Sequence, residues 1–357
     1  MQAKQNNPLI HDVQVWDDRE IAQTTSVVHF ICNQSINQKL AQSNCSEITI
    51  RKSTFFNRMV TASIDSTTPA IQKAYRPIHS FKSLAQNLKA LIANVYAQFS
   101  KPIEFKTIVF DVREIEPNNI AHLMMIAIPF CLHTRNVAGA DVQFLFNKMA
   151  EPYQNLLKAF DIQPIISNKK IKAPFIKVTG TRGHAHYNII HVIDCPPIAF
   201  VPDIYEKYHF SSGLVGMNKI FIARRGARAL INQDEVEKLL ATHGYKAVYM
   251  EDYSIAVQLG IASEANDIVA VHGASMGMLV LRKNINSLIE ICPSNVYQEY
   301  FAIALGNRVK THIQLMESHD FRVEFHDYSL ISHFKGLPFS ANIAQLNQAL
   351  TMVNSNN

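Results

Sequence analysis

Apolar positions along the chain keep two different periods. Over residues 81–99, Leu84, Leu88, Leu91, Ile92, Val95 and Phe99 recur three and four apart, one stripe of an amphipathic helix. Residues 106–112 (KTIVFDV) form a short apolar run, the pattern of a buried strand. A helix over about 119–135, a strand at 141–146 and a helix at 151–160 follow. Residues 27–32 and 47–50 read as further strands, and residues up to about 23 as loose structure. Strands alternating with helices predict an α/β fold with a mainly parallel sheet. Residues 169–181 are basic and irregular, and 187–194 (YNIIHVID) read as a strand.

The second half is more regular. A strand at 219–224 precedes Asn232 and Glu235, spaced as in a capping box. The helix through Val236, Leu239 and Leu240 stops at Gly244. Then come a strand at 247–250, a helix at 254–265, a strand at 267–271 and the turn His272-Gly273-Ala274 into a short helix. A strand at 287–291 and a helix at 297–305 complete the run. This βαβαβαβ order is that of a nucleotide-binding Rossmann-like half. The Pro-rich stretch within 195–215 marks the boundary between a domain at 1–200 and one at 201–335. Ile343, Leu346, Leu350 and Val353 share one face of a terminal helix at 336–357, expected to return to the first domain.

Length and composition narrow the class. The 357 residues suit about two domains of ordinary size. With 48% hydrophobic and 18% charged residues the chain can bury a core. A net charge of +5 suits an anionic small ligand or an anionic membrane face and is too weak to point to nucleic acid. Lys169, Lys170, Lys172 and Lys177, near Phe175, are candidates for such a membrane contact, with a solvated loop as the plainer reading. The apolar stretch 120–131 is too short to span a bilayer, and the polar start has no signal-peptide core. The five cysteines lack any CxxC pair, which favours a reducing compartment, and a cytoplasmic location is expected.

Four groups could carry chemistry. Arg224, Arg225 and Arg228 put three guanidiniums directly after a strand, where open α/β sheets bind ligands. The plainer alternative is a basic loop with surface ion pairs. His272-Gly273-Ala274-Ser275 ends another strand, where small residues and free backbone N–H groups could cradle a phosphate, and Gly273 and Gly277 could relax the backbone. The sequence has neither a Walker loop nor the GxGxxG fingerprint that an NAD(P)-linked oxidoreductase would need. Glu290, ending SLIEI, could accept hydrogen bonds from sugar hydroxyls or pair with an arginine. Asn119 reads as a helix cap that places His122 in the first turn, a general-base candidate or a structural histidine. His184, His186 and His191 make a poor metal set, since His191 falls on the opposite strand face.

In order, these pieces resemble glycosyltransferase family 61. IFIARRGAR, INQDEVEKLLATHGY, MEDYSIAVQLGIASEANDIVAVHGASMGMLVL and SLIEI follow the family's sequence of elements, with Arg224, Asn232, Glu235, Gln258, Ala265, His272, Gly273 and Ala274 at its characteristic positions. Asn119 and His122 are similar to the family's Asn-x-x-His segment. The run Ser275-Met276-Gly277-Met278 departs from the continuation common after His-Gly-Ala. The resemblance implies a GT-B architecture, two Rossmann-like domains facing across a cleft. It implies inverting transfer from a nucleotide-sugar donor, commonly a UDP-sugar, with no cofactor and no obligatory metal. The acceptor would be a glycan or lipid-linked glycan, as in capsule or cell-surface polysaccharide synthesis, with peripheral contact at the inner membrane. In that reading Arg224, Arg225, Arg228 and the turn at 272–275 neutralise the departing diphosphate. Glu235, Gln258 and Glu290 hold base, ribose or sugar hydroxyls or brace the arginines. His122 is the first choice of general base, with Glu114 and Glu116 in reserve. The non-catalytic alternative is a nucleotide- or sugar-binding subunit of a polysaccharide complex.

Overall fold

The computed structural model describes residues 101–173, 204–292, 308–316 and 338–355 nearly throughout. It also describes 25–32, 47–51, 60–63, 66–68, 176–179, Phe301, Leu305 and single helical positions between 85 and 99. The strand expected at 187–194 and His184, His186 and His191 lie outside the described residues, as do Glu114, Glu116 and Phe175. The chain divides into two compact units. One comprises Met1–Glu20 and Phe55–Pro197, the other Ile21–Thr54 and Ile198–Asn357. The single cut expected near residue 200 is therefore corrected by a second exchange near the start. The reason is pairing: β1 (Thr25–Cys32) and β2 (Glu47–Arg51) hydrogen-bond into the sheet of the second unit.

In the first unit, β3 (Val60–Ser63), β10 (Ile176–Thr179), β6 (Val109–Asp111), β7 (Gln143–Phe146) and β8 (Pro164–Ile166) form one sheet in that spatial order. All its pairings are parallel except that of β3 at the edge. A second sheet joins β4 (Ser66–Thr68), β9 (Ile171–Ala173) and β5 (Ile103–Glu104). Val109, Leu145, Ile171 and Ala173 are buried together between them. The stretch expected to be irregular after residue 169 thus supplies two short strands.

Helix α1 (Ile120–His122) continues through a π-turn, Leu123–Ala127, into α2 (Ile128–Ala138). Pro129 at the start of α2 has no N–H for the preceding turn, and its ring crowds the carbonyl four residues back, so the widened turn falls where the ladder must break. Leu123–Leu132 are almost wholly buried. Among the described residues no helix is long and apolar enough to cross a membrane. A third helix, α3 (Glu151–Lys158), buries Leu156 and Leu157. By contrast Leu88, Leu91, Ile92, Val95 and Phe99 of the helical stripe are exposed.

The second unit holds a seven-stranded sheet in the order β12-β11-β13-β14-β15-β1-β2, where β11 is Lys219–Ala223, β12 Lys246–Tyr249, β13 Asp267–Val271, β14 Ile285–Ile291 and β15 Val309–Met316. Every pairing is parallel except that of β2. Helices α4 (Gln233–Thr242) and α5 (Ile255–Glu264) connect β11 to β12 and β12 to β13. After β12 the chain crosses back over β11 to place β13 on its other side. The carboxyl ends of β11 and β13 therefore flank a topological switch point, where open α/β sheets bind ligands.

The terminal helix α6 (Ile343–Ser355) does not return to the first unit. It packs on β1 and β15, and Leu346, Ala349, Leu350 and Val353 share one core with Phe221, Val269, Ile289 and Ile313. Its apolar face is used up on the sheet of its own unit. Asn232, expected to cap α4, makes no capping bond. Its amide instead clasps Ala341 just ahead of α6, accepting from Ala341 N and donating to Ala341 O, each at 2.9 Å.

Candidate functional site

Arg224 is the first residue beyond β11 and His272 the first beyond β13, so adjacent parallel strands deliver them side by side. Arg224 Nη1 donates to His272 O at 3.2 Å. A Cβ on Gly273 would stand 2.2 Å from that same nitrogen, so only a glycine admits the guanidinium there. The sequence expectation for Gly273 is corrected in its reason. Its φ of −178° is extended backbone open to any residue, and the requirement is space.

The loop after Arg224 turns sharply, with Gly226 at φ 67° and Arg228 at φ 63°. A left-handed backbone costs a non-glycine residue about 1 kcal/mol. The turn brings Arg228 within electrostatic reach of Arg224. Burial, and then the like charge of Arg224, push the Arg228 guanidinium down to about 10. Burial likewise lowers Arg224, opposed by the Glu251 carboxylate. Among the described residues no carboxylate pairs with Arg228. Two half-buried guanidiniums thus share one strand end with the turn at 272–275, whose Gly273 is buried against Arg224, an arrangement whose electrostatic cost an anion would relieve.

The turn enters a 3₁₀-helix, Ala274–Leu281, with Ala274 and Ser275 half-buried at its start. Behind it lies Glu290, fully buried on β14. One carboxylate oxygen accepts from His272 Nδ1. The other is 3.2 Å from His312 Nε2 and accepts from Gln314 Nε2 at 2.8 Å. Burial alone would raise its pKa, but the His272 and His312 hydrogen bonds outweigh burial and hold it at about 2. The expectation that Glu290 meets sugar hydroxyls or an arginine is corrected. Strand β14 is covered on both faces, so a carboxylate on it needs internal donors, and two histidines and a glutamine supply them. His272, Glu290 and Cys292 also place possible metal-ligand atoms within 4.8 Å of one another. A metal there would have to displace the hydrogen bonds that already occupy Glu290.

The remaining expected residues do not gather at this point. Arg225 is turned onto β12: it pairs with Asp252, and its guanidinium lies 3.8 Å from the Tyr249 ring centroid, the solvated ion pair of the plainer reading. Glu235 is exposed on α4 beside Asn232. Gln258 donates to Tyr253 O at 2.8 Å and closes the start of α5. His312 and Gln314 escaped the sequence reading because β15 did.

In the first unit, Asn119 caps α1, its Oδ1 accepting from Ala121 N at 3.0 Å and His122 N at 3.4 Å. Its Nδ2 lies 3.4 Å from His122 Nε2. An amide N–H can only donate, so that ring nitrogen is the acceptor of the pair. His122 stands half-buried where α1 gives way to the π-turn, a distortion common at functional positions. Lys172, among the candidate membrane lysines, pairs with Glu104 at 3.6 Å on the surface.

Residues 120–284 match the family model described as Glycosyltransferase 61. The match takes in His122, the arginine turn, Glu235, Gln258 and the residues at 272–275, and ends before Glu290. It indicates an enzyme with a sugar donor and an acceptor as substrates. No curated protein matches the chain.

Proposed function

Residues 120–284 make the chain a glycosyltransferase family 61 protein, and from that premise we propose that it transfers a sugar with inversion from a nucleotide-sugar donor, a UDP-sugar, to a glycan acceptor. The observation that carries this reading is the Arg224 guanidinium seated against Gly273, with Arg228 beside it, at a sheet switch point. Such a site suits a pyrophosphate.

In inverting transfer the acceptor oxygen attacks the anomeric carbon opposite the leaving group. The bond from that carbon to the diphosphate oxygen breaks, and the diphosphate leaves with the electron pair. Arg224, Arg228 and the N–H groups after Gly273 meet the growing negative charge with fixed positive ends, so the reaction needs no metal at this point. His122, in the first unit, takes the acceptor proton. The two units are then the halves of a GT-B enzyme, the second holding the donor. The acceptor is a capsular or other cell-surface glycan, free or lipid-linked, met in the cytoplasm or at the inner face of the membrane.

Two measurements test the reading. A thermal-shift panel of nucleoside diphosphates and nucleotide sugars should show stabilisation by UDP and UDP-sugars, since a ligand of the folded state raises apparent stability. Arg224→Ala should keep the melting temperature of the free protein and lower the rate of UDP release from the donor found by about a hundred- to a thousand-fold. Normal turnover by that variant would remove the arginine assignment. Donor binding with no turnover by the unaltered protein would favour a non-catalytic binding subunit.

A further inference from the structure

Helical positions between 85 and 99 turn an apolar stripe to water. Leu88, Leu91, Ile92, Val95 and Phe99 recur three and four apart, which sets them on one side of a helix. All five are exposed, Ile92 at 61% and Phe99 at 84%. A phenyl ring that open adds little to the core of its own unit, and five large apolar side chains in one row form a patch of the kind that marks a contact surface. The charge around the row has one sign. Between Asp65 and Glu104 the sequence holds Lys73, Arg76, Lys82, Lys89 and Lys101 and no acid. By the helical period, Lys82 and Lys89 fall to the side of the stripe.

The fold brings more cations to the far end of the row. Lys101 is exposed and leads into β5, where Ile103 N donates to Lys170 O at 2.8 Å. The chain leaving Phe99 thereby meets the basic run at 169–170, in which Lys169 is exposed as well. The first acid beyond the row, Glu104, already pairs with Lys172.

We propose that this stripe lies in the surface layer of a membrane containing anionic lipid, with Phe99 and its apolar neighbours among the acyl chains and Lys101 and Lys169 against the headgroups. An apolar row one helix wide, flanked by lysines, is the composition of a helix that lies along a bilayer. Anionic headgroups answer the unbalanced positive charge. The contact is along the surface, since among the described residues no helix is long and apolar enough to cross a membrane. A second copy of the chain fits less well, because joining two such stripes would bring lysines against lysines with no acid in the segment to answer them. The inference goes beyond the donor-site reading and does not depend on it.

Flotation of the full chain with lipid vesicles tests this. Vesicles of equal parts phosphatidylglycerol and phosphatidylcholine should carry the unaltered protein up the gradient, and phosphatidylcholine alone should bind it about tenfold more weakly. Ile92→Glu with Phe99→Glu should lower binding to the mixed vesicles about tenfold or more. The free double variant should melt within a degree or two of the parent, because both side chains are already exposed. Phe99→Ser alone should weaken binding several-fold and keeps the test standing if the double variant does not fold. Lys101→Glu with Lys169→Glu should abolish the preference for phosphatidylglycerol. Absence of binding by the unaltered protein overturns the proposal, as does binding that the changes at Ile92 and Phe99 leave intact. Self-association relieved by those changes, without vesicle binding, also overturns it and gives the stripe to a second copy. No arm uses UDP, so the outcome here and that of the donor-site reading are read separately.

Discussion

A methyl group at position 273 would occupy the space now filled by the tip of Arg224. That tip is the far end of a flexible side chain, so it can swing aside at little cost to the fold. Gly273→Ala should therefore melt within a degree or two of the parent and bind UDP at least tenfold more weakly by calorimetry. Unchanged affinity would show that Arg224 works equally well from another position. Part of this was readable beforehand. Arg224 and His272 each follow a short, β-branched apolar run bounded by turn residues, the pattern of a buried strand, so their place at strand ends was readable from the sequence. Three arginines within five residues look alike in sequence. Two positive φ angles separate them, folding Arg228 back to Arg224 while Arg225 leaves for Asp252. Glu290 misled for a related reason: an acid at the end of a short apolar run looks like a strand terminus, and its partners lay on a strand not yet recognised.

Helix α5 shows packing at the scale of an element. A Cβ on Gly260 would lie 2.1 Å from Ser212 N, so the helix touches the main chain of the loop before β11. The same loop is tied to the end of α5, where Glu264 accepts from Ser211 Oγ and from Ser212 N, each at 2.9 Å. Backbone cannot swing aside as an arginine tip can. Gly260→Ala should cost about 1–3 kcal/mol, read as a fall of several degrees in melting temperature, and an unchanged melting curve would contradict so close an approach. The parallel strands β11, β13 and β14 were legible because burial on both faces makes them almost wholly apolar. Strand β15 was not: Lys310, Thr311, His312 and Gln314 interrupt its pattern, and the last three are buried rather than facing water, His312 and Gln314 against Glu290. Short strands such as β9 and β10 fall below the length at which a period can be recognised.

Across the whole molecule the chain passes between the two units three times, after Glu20, Thr54 and Pro197. Sequence pattern carries no record of such a passage. It registers that residues 27–32 form a strand, but which sheet receives the strand depends on partners nearly three hundred residues away. A chain beginning at Phe55 would lose β1 and β2 and leave β15 as an open parallel edge, a surface prone to pairing with other chains. It should be recovered mainly as aggregate in sedimentation, and a monodisperse product melting like the full chain would show that β1 is dispensable.

The pairing of Val28 with His312 also sets a timetable for biosynthesis. The ribosome makes β1 well before β15, with more than two hundred and fifty residues between them. Until then the early strand has no partner in its sheet, while the intervening α/β segments emerge and can begin to collapse around it. So distant a pairing leaves β1 without that partner while the intervening segments are made, and makes the nascent polypeptide a natural client for chaperones that shield unpaired strands.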